Sequence, residues 1–182
     1  MTLRDNPHHY GTVSRVLHWA MAALFVWQFS GMALKLILGR VPLMAFWVGT
    51  HPSVGTALLL LLLLRAAWAF VERGRRPAYQ ADRLGRLAAL GHMVLYGLMF
   101  IIPALALARM VGSGRGVRLF GMQLKPPTGE EIGWMTAPGD LIHGKLAWLL
   151  LFLIAGHVAM VVVHQWRGES VLRRMIGARL PS

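Results

Sequence analysis

The chain has 182 residues, of which 56% are hydrophobic and only 14% charged, with a formal net charge of +12 and a mean hydropathy of +0.54. A water-soluble domain of this size cannot hide so much apolar surface, so the composition points to a polytopic membrane protein; the basic excess then belongs to arginines flanking membrane spans, not to nucleic-acid binding. No cysteine is present, which excludes disulfides, cysteine-ligated iron–sulfur clusters and covalent haem attachment through C-x-x-C-H.

Four apolar runs follow in chain order. The first, about Val13 to Leu38, is preceded by a short segment carrying Arg4 and has Arg15 at its start. It is longer than a signal-peptide core and shows no convincing A-x-A cleavage site, so it is expected to be a retained span. The second runs from about Trp47 to Val71, with LLLLLLL at its centre, and the third from about Leu87 to Val111, with Pro103 as a site for a kink. The fourth covers about Leu141 to Trp166. Each is long enough to cross the hydrocarbon as a helix. Between the third and fourth, the Gly- and Pro-rich stretch from Gly112 to Asp140 is expected to form a cap with some structure of its own. There is no internal repeat and no low-complexity linker. The expected fold is therefore all-α, a single integral membrane four-helix bundle spanning residues 1–182.

Four spans put both termini on one side, together with the loop ERGRRPAYQADRLGR from Glu72 to Arg86. Most of the arginines near span ends lie there. The opposite loops hold Lys35, Arg40, Arg115, Arg118 and Lys125, with Arg109 and Lys145 at span ends. The asymmetry predicts cytoplasmic termini.

The histidines sort by depth. His8 and His9 precede the first span in PHHY and are expected to be solvated. His18 and His92 fall near the cytoplasmic starts of spans one and three; His51 and His143 fall near the outer starts of spans two and four. His157 and His164 lie further along the fourth span. Fourteen residues of helix rise about 21 Å and return to nearly the same face, so His143 and His157 point into the bundle from one face at two levels. His51 is placed to meet His143, and either His18 or His92 to meet His157. Two pairs of facing imidazoles at two depths suit two haem groups with histidine on both sides of each iron. Hydrogen bonding between helices is the alternative for any one of these side chains. A histidine-lined metal transporter is the alternative for the set, although transport would ordinarily use carboxylates inside the spans, and none is found there.

Arg65 lies fourteen residues after His51, deep in the second span, and is expected at the level of the inner pair. A buried arginine needs an anion, which haem propionates would supply; the alternative is a side chain snorkelling to the surface. Gly55, one turn after His51, leaves room for a flat macrocycle or for a close helix neighbour.

The segments RVLHWAMA, HPSVG, LGHMVLYGLMF, IHGKLAW and AGH, with the tail W-x-x-x-S-V-L-R-R-M, resemble the bacterial cytochrome b561 family. The likeness runs from about Arg15 to Arg174 and is closest to the small stand-alone members that oxidise superoxide. It implies two non-covalent haem b groups between the four helices, one on His18 and His157 and one on His51 and His143, with His92 outside the ligand set. It also implies a bacterial inner-membrane protein that links a periplasmic electron donor to the quinone pool. In the superoxide-oxidising members the donor is superoxide and the acceptor ubiquinone. On that reading His92 and His164 are candidates to bind or protonate quinone oxygens, and Trp19 and Trp166 are apolar walls or interfacial anchors. Arg109, Arg115, Arg118 and Lys125 are candidates to steer an anion. Two alternatives share the haems or dispense with them: a cytochrome b subunit of a dehydrogenase or hydrogenase, and the transporter without haem.

Overall fold

The computed structural model describes residues 2–39, 41–78, 83–169 and 171–177. Arg40, positions 79–82 of the predicted cytoplasmic loop, Ser170 and the tail past 177 lie outside the described residues. The long helices are α1 (Thr12–Leu38), α2 (Pro42–Val71), α3 (Arg83–Gly112) and α4 (Gly133–Trp166). A hairpin of β1 (Val117–Leu119) and β2 (Met122–Lys125) connects α3 to α4, and a short α5 (Val171–Ile176) follows α4. All four long helices are long and apolar enough to cross a membrane, where helices satisfy every backbone polar group internally.

Three helices start earlier than their apolar runs: α2 at Pro42 and not Trp47, α3 at Arg83 and not Leu87, α4 at Gly133 and not Leu141. Hydropathy marks only the part that matches the hydrocarbon, about 20 residues; the hydrogen-bonded backbone continues through the interface. The predicted cap is thus shorter than expected, and part of it is the first turns of α4.

Successive helices pack as antiparallel neighbours. Trp68 of α2 donates its indole N–H to Ser14 of α1 at 3.1 Å, and at the far end Trp47 stacks on Trp27 with ring centres 4.5 Å apart. Arg65 of α2 meets Tyr96 of α3, and Arg109 of α3 pairs with Asp140 of α4. The interior is apolar at mid-depth. Met21, Leu58 and Leu62 form one buried cluster; Leu95, Leu98, Ile102 and Leu150 form another, against which Phe25 and Phe29 of α1 pack. Outward positions such as Phe152, Phe70 and Ile37 are exposed on the isolated chain, as expected where lipid and not water is the neighbour.

At the end of the bundle that carries both termini, the N-terminal segment is a strap. Carbonyls of Thr2 and Leu3 accept the N–H groups of Thr12 and Val13, and Asp5 accepts from the Gly11 N–H at 2.7 Å, so the first turn of α1 is capped by chain outside it. The other Asp5 oxygen accepts from Ser14 Oγ and Arg76 Nε, each at 2.9 Å. Glu72, wholly buried, accepts from the Asp5 N–H and lies between Arg4 and Arg75. His8 and His9 are exposed, and an Asn6 turn receives their backbone N–H groups.

The opposite end carries the hairpin. Its two-residue turn, Phe120–Gly121, has φ of 52° and 78°, the left-handed pair that matches hairpin twist. Glycine adopts that conformation freely and phenylalanine does not; the Phe120 N–H is tied down by Ser53 Oγ at 2.8 Å. The turn is thereby pinned to α2 two residues from His51.

Gly139 is where α3 and α4 approach most closely around Asp140. A Cβ there would lie 2.8 Å from Arg109 Cβ and 3.1 Å from the Leu105 carbonyl oxygen. Gly139→Ala is expected to push the helices apart and weaken the Arg109–Asp140 pair, costing about 1–3 kcal/mol of stability. Thermal unfolding of the solubilised protein measures this, and an unchanged midpoint would show that α3 and α4 yield there without cost.

Candidate functional site

Five of the six histidines in the helices fall into two groups separated by the apolar clusters. At the hairpin end, the rings of His51 and His143 face each other edge to face, with centres 6.2 Å apart. Nδ1 of His143 is 3.1 Å from the Ile102 carbonyl oxygen. A carbonyl only accepts, so this nitrogen carries the proton and Nε2 keeps its lone pair. Gln28 of α1 donates to the His51 carbonyl at 3.1 Å, holding that part of α2 against α1. The Nδ1 of His51 and the Oε1 of Gln28 are buried with no hydrogen-bond partner among the described residues, a cost that marks a site built for something more than these side chains. A Cβ at Gly55 would meet Gln28 Nε2 at 3.4 Å, an ordinary contact, so α1 lies close to α2 beside that glycine.

Towards the terminal end, His92 and His157 are 5.1 Å apart between ring centres, and His18 lies against Trp19 at 5.4 Å. Arg65 and His157 are both close enough to His18 to act on it electrostatically. The structure thus brings together His18, His92, His157 and Arg65, as the spacing predicted, and leaves both His18 and His92 within the neighbourhood of His157. His92 Nδ1 donates to the Ala88 carbonyl at 2.7 Å. Arg65 Nε donates to the Tyr96 hydroxyl at 2.8 Å.

His164 stands apart. Its Nδ1 is 2.8 Å from Glu169 Oε2, and the Glu169 N–H returns to the His164 carbonyl. Trp19 donates its indole N–H to the Met175 carbonyl of α5 at 3.2 Å. Trp166 is 83% exposed, which suits an interfacial anchor better than a site wall. Of the cations expected to steer an anion, Arg109 is engaged with Asp140, and both line a recess of about 260 Å³ with Ser113, Arg115, Glu131 and Thr136. Arg115 and Arg118 are exposed and Lys125 is partly buried. Tyr96, Gln28 and Glu169 were missed by sequence reasoning. Tyr96 had a signal, since it follows His92 by one turn and so shares its face; the other two are placed only by tertiary contact.

The donor set fits haem. Two imidazoles sharing a metal through bonds of about 2 Å have ring centres about 6 Å apart, and His51 and His143 already stand at 6.2 Å. Among the described residues no cluster of three or more His, Cys, Asp or Glu side chains is arranged to hold a bare metal ion. His51 and His143 would hold haem iron between them, and the group when bound would supply one-electron exchange.

Four membrane-length helices that gather histidine rings at two levels define a polytopic membrane protein with side chains suited to haem. The sequence profile described as prokaryotic cytochrome b561 matches residues 9–178, and the chain belongs to that family, whose members are membrane electron-transfer proteins carrying haem b. It is similar to cytochrome b561 homolog 2 of Escherichia coli (strain K12), with 27% identity over 183 residues covering 97% of this chain and 96% of the relative. Family membership replaces the transporter alternative with electron transfer.

Proposed function

We propose that this chain is a single-domain cytochrome of the bacterial inner membrane that takes electrons from superoxide at the periplasmic side and passes them to ubiquinone, with both termini in the cytoplasm. The observation that carries the reading is the pairing of His51 with His143 at one end of the bundle and the gathering of His18, His92, His157 and Arg65 towards the other. On this reading His51 and His143 hold one haem b, and His18 and His157 hold a second, the choice of His18 over His92 following the family resemblance. Bound haem supplies reversible one-electron exchange, while the protein supplies ligation, spacing and charge.

Each superoxide leaves as oxygen after giving up one electron; ubiquinone takes two electrons and two protons to become ubiquinol. The exposed Arg115 and Arg118, with Lys125, attract the anion to the hairpin end, while Asp140 offsets the charge of Arg109. At the terminal end His164, oriented by Glu169, and the unligated His92 offer nitrogens that bond or protonate quinone oxygens. Trp19 is tied to α5 at that end, and the exposed Trp166 serves there as an interfacial anchor.

Anaerobic spectroscopy of the purified protein tests the reading. Superoxide is expected to reduce the haem, and ubiquinone to reoxidise it, with the reduction rate falling as salt rises. Haem that superoxide leaves oxidised would refute the donor. A rate independent of salt would refute the steering role of the cations. Co-purification with a large periplasmic redox subunit that supplies the electrons would favour the subunit reading.

A further inference from the structure

We infer that Tyr96 is a positioning residue that fixes Arg65 to receive a haem propionate; the inference rests on the haem reading above and deepens it. Arg65 closes the leucine run of α2. A charge at such depth is tolerated when it is paired and hydrogen-bonded, yet among the described residues no carboxylate lies within ion-pair distance of it. Its one protein hydrogen bond among the described residues runs from Nε to the Tyr96 hydroxyl on α3, at 2.8 Å. That bond draws the guanidinium across the bundle towards α3 and opposes a snorkelling path along α2. It also leaves both Nη groups, the fork that binds a carboxylate in two-point fashion. The Tyr96 ring packs on the cluster of Met21, Leu58 and Leu62, so the hydroxyl is presented from a fixed base. His18 and His157 both lie within electrostatic reach of Arg65, which puts its fork at the level of the proposed second haem.

The chemical consequence is a haem potential set partly by this pair. A reduced haem carries one more negative charge than the oxidised form, and a guanidinium held on its propionate favours reduction. Without the tyrosine hydroxyl the guanidinium is free to swing away, and the potential of that haem falls.

The test is a redox titration of haem-loaded wild type, Tyr96→Phe and Arg65→Gln, with redox-difference infrared spectra of protein carrying haem labelled at the propionate carboxylates. Phenylalanine keeps the packing ring, so Tyr96→Phe is expected to bind both haems, to lower the midpoint potential of one and leave the other unchanged, and to shift the labelled carboxylate band. Arg65→Gln is expected to lower the same potential further. A shift in Arg65→Gln with none in Tyr96→Phe overturns the positioning role of Tyr96 and leaves the haem reading standing. No shift in either variant overturns the propionate contact itself. Loss of haem from Tyr96→Phe while Arg65→Gln stays fully loaded would show that the hydroxyl acts on haem binding by a route other than Arg65, and overturns the positioning role.

Discussion

His143→Ala is expected to purify with roughly half the haem of the wild type, because each of the two proposed sites draws on two imidazoles and only one site is touched. The remaining haem should keep its spectrum, since about 21 Å of helix separates His143 from His157 and an apolar layer lies between them. Haem quantified per polypeptide after denaturation, with the reduced absorption bands resolved at low temperature, measures this. Full haem content in His143→Ala would remove the proposed ligand. The same assay applied to His18→Ala and His92→Ala settles the partner of His157. The resemblance expects His18→Ala to lose a haem and His92→Ala to keep both. The ring geometry brings His92 to 5.1 Å from His157, so haem loss from His92→Ala would assign that ligand to α3.

Asp5→Ala is expected to lower stability by about 2–3 kcal/mol and to free the N-terminal strap. Asp5 is 3% exposed and accepts from the Gly11 N–H, Ser14 and Arg76. Breaking a buried pair costs about 3–5 kcal/mol, discounted here because Arg76 keeps 22% of its side chain in solvent and water compensates part of the loss. Glu72→Gln should cost less although Glu72 is the more deeply buried. Its partners Arg4 and Arg75 are more than half exposed, and the amide oxygen still accepts from Asp5 N–H. Thermal unfolding ranks the two variants, and limited proteolysis reports the strap. A strap in Asp5→Ala that resists protease as well as the wild type would show that the Thr2 and Leu3 contacts suffice.

Much of this arrangement was legible in the residues. The membrane class follows from composition, because four runs of apolar side chains leave the backbone no solvent but itself. The facing of His51 and His143 follows from the alternation of spans and the period of the helix. The joint presence of Arg65, His18, His92 and His157 at one level follows from the same counting. What failed was local. The start of α4 was placed at Leu141, because hydropathy ends where lipid ends while hydrogen bonding does not, and Gly133 begins the helix. Arg109 was grouped with the free cations of the cap; Asp140 answers it, a pairing across two helices that depends on Gly139 having no side chain.

By itself the sequence determined the number of membrane-length helices, their order and the level of each histidine along them, because these depend on one-dimensional quantities: hydrophobic length and rise per residue. Only the tertiary structure decided which groups meet across helices. Tyr96 receives Arg65, Gln28 braces His51, Glu169 turns back on His164, and Asp5 gathers the strap, α1 and Arg76. Those contacts depend on how far each helix rotates about its axis and how closely neighbours approach. Side-chain packing at crossings sets both quantities, and neither hydropathy nor spacing along one chain contains them.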